Sequence, residues 1–128
     1  MSKYSKVNLQ TQVDNSSQTE GNEMRFARKH LDSDELGLTL SRYKPNFRAD
    51  MGHNHKEQEE VYLVTKGSGR ILLDDETQDL APWDVVRVAP EVIRAFESGP
   101  EGLEIIAVSG HKPEGGDGVR HEAQWPTD

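Results

Sequence analysis

Two histidines, His53 and His55, flank a single residue in the run Met51-Gly52-His53-Asn54-His55-Lys56-Glu57-Gln58-Glu59-Glu60-Val61-Tyr62. On extended backbone, residues two apart project to the same face, so both imidazoles point the same way. A carboxylate at the start of the following strand would complete a His-His-carboxylate set. Such a set suits a divalent transition metal and leaves coordination positions open for substrate or oxygen. Glu59 and Glu60 compete for that role. Strand parity separates them: Glu60, Tyr62 and Val64 share one face, and Glu59, Val61 and Leu63 share the other. The plainer alternative is a pair of solvated loop histidines, and the spacing alone does not decide between the two.

For these groups to converge, strands must carry them. Apolar residues recur with period two in Met24 to Arg28, Leu36 to Tyr43, Val61 to Val64, Arg70 to Leu73, Val85 to Val88, Val92 to Phe96 and Leu103 to Val108. The runs are rich in β-branched and aromatic residues. Turn formers bound them: Lys66-Gly67-Ser68-Gly69, the acidic tip Asp74-Asp75-Glu76, Ala81-Pro82, and Ser98-Gly99-Pro100-Glu101-Gly102. About eight short strands with no convincing helix predict an antiparallel all-β barrel or double-sheet sandwich. His30 to Glu35 has room for one helical turn at most.

The flanks read differently. Residues 1–22 are polar and read as an arm, in which Val7-Asn8-Leu9 is a candidate to add a strand to a sheet edge, its own or a partner's. Residues 111–128 carry Pro113, Gly115, Gly116, Gly118 and Pro126 and read as a flexible acidic tail, with Trp125 as its one anchor. The barrel is expected over residues 23–110.

Composition narrows the function classes. The 128 residues contain no cysteine, which removes disulfide scaffolds, Cys-ligated metal modules and thiol enzymes. A net charge of −8, with the basic residues scattered along the chain, argues against a nucleic-acid partner. No apolar run approaches the length of a membrane span, and Met1 to Lys6 leads into polar residues rather than a signal sequence, so the expected compartment is the cytoplasm. Nothing resembles a nucleophilic serine motif, and Gly67-Ser68-Gly69 has no helix after it to form a phosphate loop.

The arrangement of His53, Asn54 and His55, then Glu60 with four residues between, then Gly67, followed by Pro82 to Phe96, resembles the two motifs of the cupin superfamily. The resemblance covers about residues 36–109 and implies a double-stranded β-helix, or jelly-roll barrel, with His53, His55 and Glu60 in the metal-ligand positions. Family spacing also favours Glu60 over Glu59. The departures are as informative. Phe47 falls where the first motif opens on glycine, and Trp83 stands where the second motif has one. Ala89 and Glu91 replace the ends of its Pro-x-Gly step, and Ser98 replaces its closing asparagine. Arg94 occupies the place of the third metal-binding histidine. A guanidinium has no free lone pair and cannot ligate.

If Arg94 points inward, as the resemblance implies, its charge repels a nearby divalent ion by several kcal/mol at an effective dielectric of about 20. It also attracts Glu60. Three readings follow: Arg94 grips an anionic group through its forked donors, or it orients an anionic substrate beside a retained metal, or it bridges to Glu60 in a barrel that has lost its catalytic site. The leading expectation is a small-molecule-binding cupin whose ligand is small and partly anionic. Arg94, Tyr62 and Phe96 contact that ligand, and the metal is absent or a weakly held Mn, Fe, Ni or Zn on His53, His55 and Glu60. The alternatives are a metal-dependent dioxygenase or isomerase, and a dimeric interaction module with an inert pocket.

Overall fold

The computed structural model describes residues 3–127; Met1 and Ser2 of the expected arm and Asp128 of the expected tail lie outside the described residues. Eight strands and one short helix are found among the described residues: β1 (Glu23–Phe26), α1 (Arg28–Leu31), β2 (Gly37–Tyr43), β3 (Met51–His55), β4 (Glu60–Leu73), β5 (Glu76–Leu80), β6 (Val85–Val88), β7 (Arg94–Ser109) and β8 (Gly118–Glu122). All pairings are antiparallel, in one curled sheet of the jelly-roll kind. No helix among the described residues is long and apolar enough to cross a membrane.

Two long strands form the spine. β4 joins the runs at 61–64 and 70–73, β7 joins the end of the run at 92–96, from Arg94 on, to that at 103–108, and the two pair along nearly their whole length. Both bend where turn formers had suggested breaks, and the register slips between Val64 and Lys66 and between Gly67 and Gly69. The bend needs glycine at 67: its φ is +81°, and a Cβ there would lie 2.1 Å from the carbonyl oxygen of Gly102.

Inward-facing residues of the spine make the core. Val64, Ile71 and Ile105 are almost fully buried and pack with Tyr62, Leu80, Val88, Phe96, Leu103 and Ala107. Each such side chain stabilises the fold by about 1.5–3 kcal/mol relative to exposure. The parity of β2, set by pairs such as Ser41 with Ile105, turns Thr39, Ser41 and Tyr43 inward toward a cavity and leaves Leu40 buried on the other face. The Asp74-Asp75 tip is a two-residue hairpin turn with Asp74 at φ 58°. It leads into β5, whose polar edge residues gave no apolar pattern.

The flanks depart from their composition. Val7-Asn8-Leu9 is in no strand of the chain's own sheet. Asn8 instead closes a turn, its side-chain oxygen accepting from the N–H groups of Gln10 (2.9 Å) and Thr11 (3.1 Å). Further along the arm Val13 is buried, and Arg25 donates to its carbonyl at 2.6 Å. In the segment expected to be a tail, residues 118–122 are strand β8, paired with β3 at five positions. Without β8 the outer edge of β3 would present unpaired N–H and C=O groups. Trp125 anchors the chain beyond it, donating Nε1–H to Ala49 O at 2.7 Å under the Arg48 guanidinium.

Candidate functional site

β3 carries His53 and His55 on one face, and the start of β4 brings Glu60 opposite them. Glu60 Oε1 lies 3.2 Å from His53 Nε2 and 3.2 Å from His55 Nε2, with the two rings edge to face at 5.0 Å. The three ligand atoms lie within 4.8 Å of one another. Neighbouring ligands about 2.1 Å from a shared octahedral metal stand about 3 Å apart, so the donor set fits a divalent transition metal in both type and spacing. Glu59, the rival carboxylate, faces outward and pairs with Arg87 at 2.9 Å on the surface.

Glu60 is tightly held. The Tyr62 hydroxyl donates to Oε1 at 2.7 Å and the Ser109 hydroxyl to Oε2 at 2.8 Å. Burial pushes its carboxyl up, but the hydrogen bonds from His53, His55, Tyr62 and Ser109 outweigh burial and hold it well below the usual carboxylate range. The hydrogen bond to Glu60 raises the His55 imidazole above its ordinary value against the effect of burial, and Asp117 adds to the rise. Burial, then the neighbouring Glu60 charge, pushes the Tyr62 phenol well above its ordinary value.

Arg94 points inward and is fully buried. Its terminal nitrogens face four backbone carbonyls: NH1 those of His53 and Pro90 at 3.4 Å each, NH2 those of Val88 at 3.5 Å and Ala89 at 3.3 Å. Nε lies 4.0 Å from Glu60 Oε1 and has no hydrogen-bond partner among the described residues. The forked edge is thus spent on the main chain. In this arrangement Arg94 does not offer the cavity the anion grip that the sequence suggested; it supplies a buried positive charge beneath Glu60. Tyr62 likewise commits its hydroxyl to Glu60.

Above this floor opens a cavity of about 950 Å³. Its wall includes Met24, Phe26, Tyr43, Phe47 and Phe96. Tyr43 stacks on Phe47 at 5.7 Å and on Phe96 at 5.9 Å, and Phe96 meets Tyr62 edge to face at 5.0 Å. Burial pushes the Tyr43 phenol up to about 12. Phe96, two residues from Arg94 on the same strand face, is an apolar wall residue. Trp83 is 72% exposed in its turn and covers nothing of the cavity floor.

Sequence reasoning missed two residues. Ser109 ends β7, where a serine after an apolar run looks like the end of a strand. Asp117, between two glycines, lies 2.9 Å from His55 Nδ1 across 62 positions of sequence. The other histidines stand apart from the floor: His111 pairs with Glu35 at the surface, His30 is exposed, and His121 reaches Asn54 Oδ1 at 2.9 Å.

No protein-family model matches the sequence, and no curated protein matches it. Solved structures do. A cupin protein from Bacteroides fragilis superposes with a TM-score of 0.71 at 18% identity, over 88% of this chain and 88% of that one. A sugar phosphate isomerase from a cupin superfamily, from Silicibacter pomeroyi, gives 0.69 at 19% identity, over 85% and 77%. KdgF from a Halomonas species gives 0.65 at 13% identity, over 80% and 89%. The fold is a cupin fold. At these identities the likeness carries the architecture and no activity.

Proposed function

We propose that this chain is a cupin-fold protein that binds a small, partly anionic molecule in its cavity, with His53, His55 and Glu60 holding a divalent transition metal weakly at the floor. The observation that carries the reading is the convergence of these three donors beneath an aromatic-walled cavity large enough for a small organic ligand. When bound, a Mn, Fe, Ni or Zn ion would supply a positive centre with open positions for ligand oxygens.

Charge explains both the weakness and the preference for an anion. Arg94 and a divalent ion together carry three positive charges against one each on Glu60 and Asp117. An anionic group on the ligand cancels the excess. Metal and anion should therefore bind more tightly together than apart. The structural neighbour described as a sugar phosphate isomerase is named for an anionic substrate, which supports the reading at the level of the fold.

A second reading, a metal-dependent dioxygenase or isomerase, is favoured by one feature: three protein ligands leave positions vacant for substrate. The test uses untagged protein, elemental analysis, and thermal shift with Mn²⁺ or Zn²⁺ and a panel of small carboxylates and sugar phosphates. The proposal expects stabilisation by metal, a further rise with at least one anion, and loss of both in His53→Ala and Glu60→Ala. It is overturned if no metal or anion stabilises the wild type more than these variants. Turnover of a bound anion would move the assignment to the enzyme reading.

A further inference from the structure

His55 is held from behind. Its Nδ1 lies 2.9 Å from Asp117 Oδ1, on the opposite side of the ring from the Nε2 that faces Glu60. The second oxygen of Asp117 accepts the backbone N–H groups of Glu57 at 2.6 Å and Gln58 at 2.9 Å, pinning the loop between β3 and β4. Asp117 is buried and immediately precedes β8. That strand pairs with β3 at five positions, whereas β7 pairs with β3 at one, His53 with Arg94. The histidine strand therefore takes most of its backbone partners from the C-terminal segment.

An ionised carboxylate only accepts hydrogen bonds, so a neutral His55 can place its single proton toward Asp117 or toward Glu60. The Asp117 contact is the shorter, 2.9 against 3.2 Å. Glu60 also has other donors in Tyr62, Ser109 and His53. The cationic ring donates from both nitrogens; once it is neutral, the remaining proton belongs on Nδ1. That leaves the Nε2 lone pair directed at the floor, in the form a metal or an acidic ligand proton requires. A carboxylate behind a ligating imidazole fixes both ring orientation and tautomer, and its loss typically costs 10–100-fold in metal affinity.

We infer that Asp117 is a positioning residue of the site, which turns His55 Nε2 toward the cavity floor by holding the proton on Nδ1. The inference rests on the floor being a binding site and does not depend on which ligand it takes.

The variant Asp117→Asn separates this role from loop capping. Its carbonyl oxygen can still accept from Glu57 and Gln58, while its NH₂ faces Nδ1 as a donor and forces the His55 proton onto Nε2. Long-range ¹H–¹⁵N NMR of the metal-free protein, at a pH where the ring is neutral, should find the proton on Nδ1 in the wild type and on Nε2 in D117N. Titration with Co²⁺ should be about 10–100-fold weaker in D117N, measured at a temperature where circular dichroism shows both proteins folded. A wild-type proton on Nε2 overturns the inference, and so does unchanged Co²⁺ affinity in a D117N protein that folds. The wild-type spectrum alone decides if the variant fails to fold. If the wild type takes up no Co²⁺, the metal part of the proposed function falls, while the proton position still decides the role of Asp117.

Discussion

Removing the buried charge of Arg94 and the carboxylate of Glu60, singly and together, should reveal a large coupling. Arg94 Nε stands 4.0 Å from Glu60 Oε1 with the guanidinium fully buried. At an effective dielectric of about 20, unit charges at that distance attract by about 4 kcal/mol. Part of Glu60 remains open to the cavity, so the expected coupling is about 2–4 kcal/mol. Glu60→Gln leaves Arg94 buried without a counter-charge and should cost about 3–5 kcal/mol. Arg94→Met removes the attraction but also the cost of burying the ion, and should cost less than Glu60→Gln. The double variant should be closer to wild type than the sum of the single changes. Guanidinium chloride unfolding of the four proteins measures this cycle. Additivity within about 0.5 kcal/mol would refute the ion pair as the element that balances the floor. Arg94→Met should also bind Zn²⁺ at least tenfold more tightly than wild type, because the repelling cation is gone.

Other expectations follow from the same geometry. Asp117 is held down to about 2 from an ordinary 3.8, and Glu60 lies below its ordinary 4.5, so the stability they contribute is full above about pH 4.5 and is lost as pH falls through the folded values. His55 runs the other way: raised above 6.5, it contributes stability at lower pH that is lost as pH rises through its folded value. Unfolding free energy should therefore peak between these limbs, and an acid limb unchanged in D117N would contradict the assignment. Tyr62→Phe removes a 2.7 Å hydrogen bond to a buried carboxylate and should cost about 1.5–3 kcal/mol in urea unfolding; a cost below about 0.5 kcal/mol would show that the bond contributes little. Trp83 sits at φ 74° in the third position of the turn Ala81–Asp84, a left-handed conformation costing a side chain about 1–2 kcal/mol. Trp83→Gly should stabilise the protein by about 0.5–1 kcal/mol after the added freedom of the unfolded chain is counted. A loss of stability would mean that the exposed indole packs usefully.

What the sequence disclosed follows from periodicity. Period-two spacing puts Tyr62 and Val64 on the face of Glu60 and separates Glu60 from Glu59. The inward direction of Arg94 came from the resemblance to cupins, since a lone arginine in an apolar run carries no sign of burial. The continuity of β4 and β7 was hidden because Gly67, Gly69 and Gly102 look like strand ends, whereas here they let two paired strands bend together. β8 was illegible for a different reason. Gly118-Val119-Arg120-His121-Glu122 buries almost nothing, and it is ordered by hydrogen bonds to β3 rather than by an apolar face. Asp117 shared that obscurity: its value lies in contacts about 60 residues away. Its place between Gly116 and Gly118 is the one local sign, since flanking glycines hint at a close backbone approach.

In the proposed function His53, His55 and Glu60 act on one guest. Crystals of untagged protein soaked with Zn²⁺ and measured at the zinc absorption edge test it most directly. A single anomalous peak about 2.0–2.2 Å from His53 Nε2, His55 Nε2 and Glu60 Oε1 is the expected result. Zinc bound only at surface carboxylates or at His111 and Glu35, with no peak between the three floor residues, would contradict it.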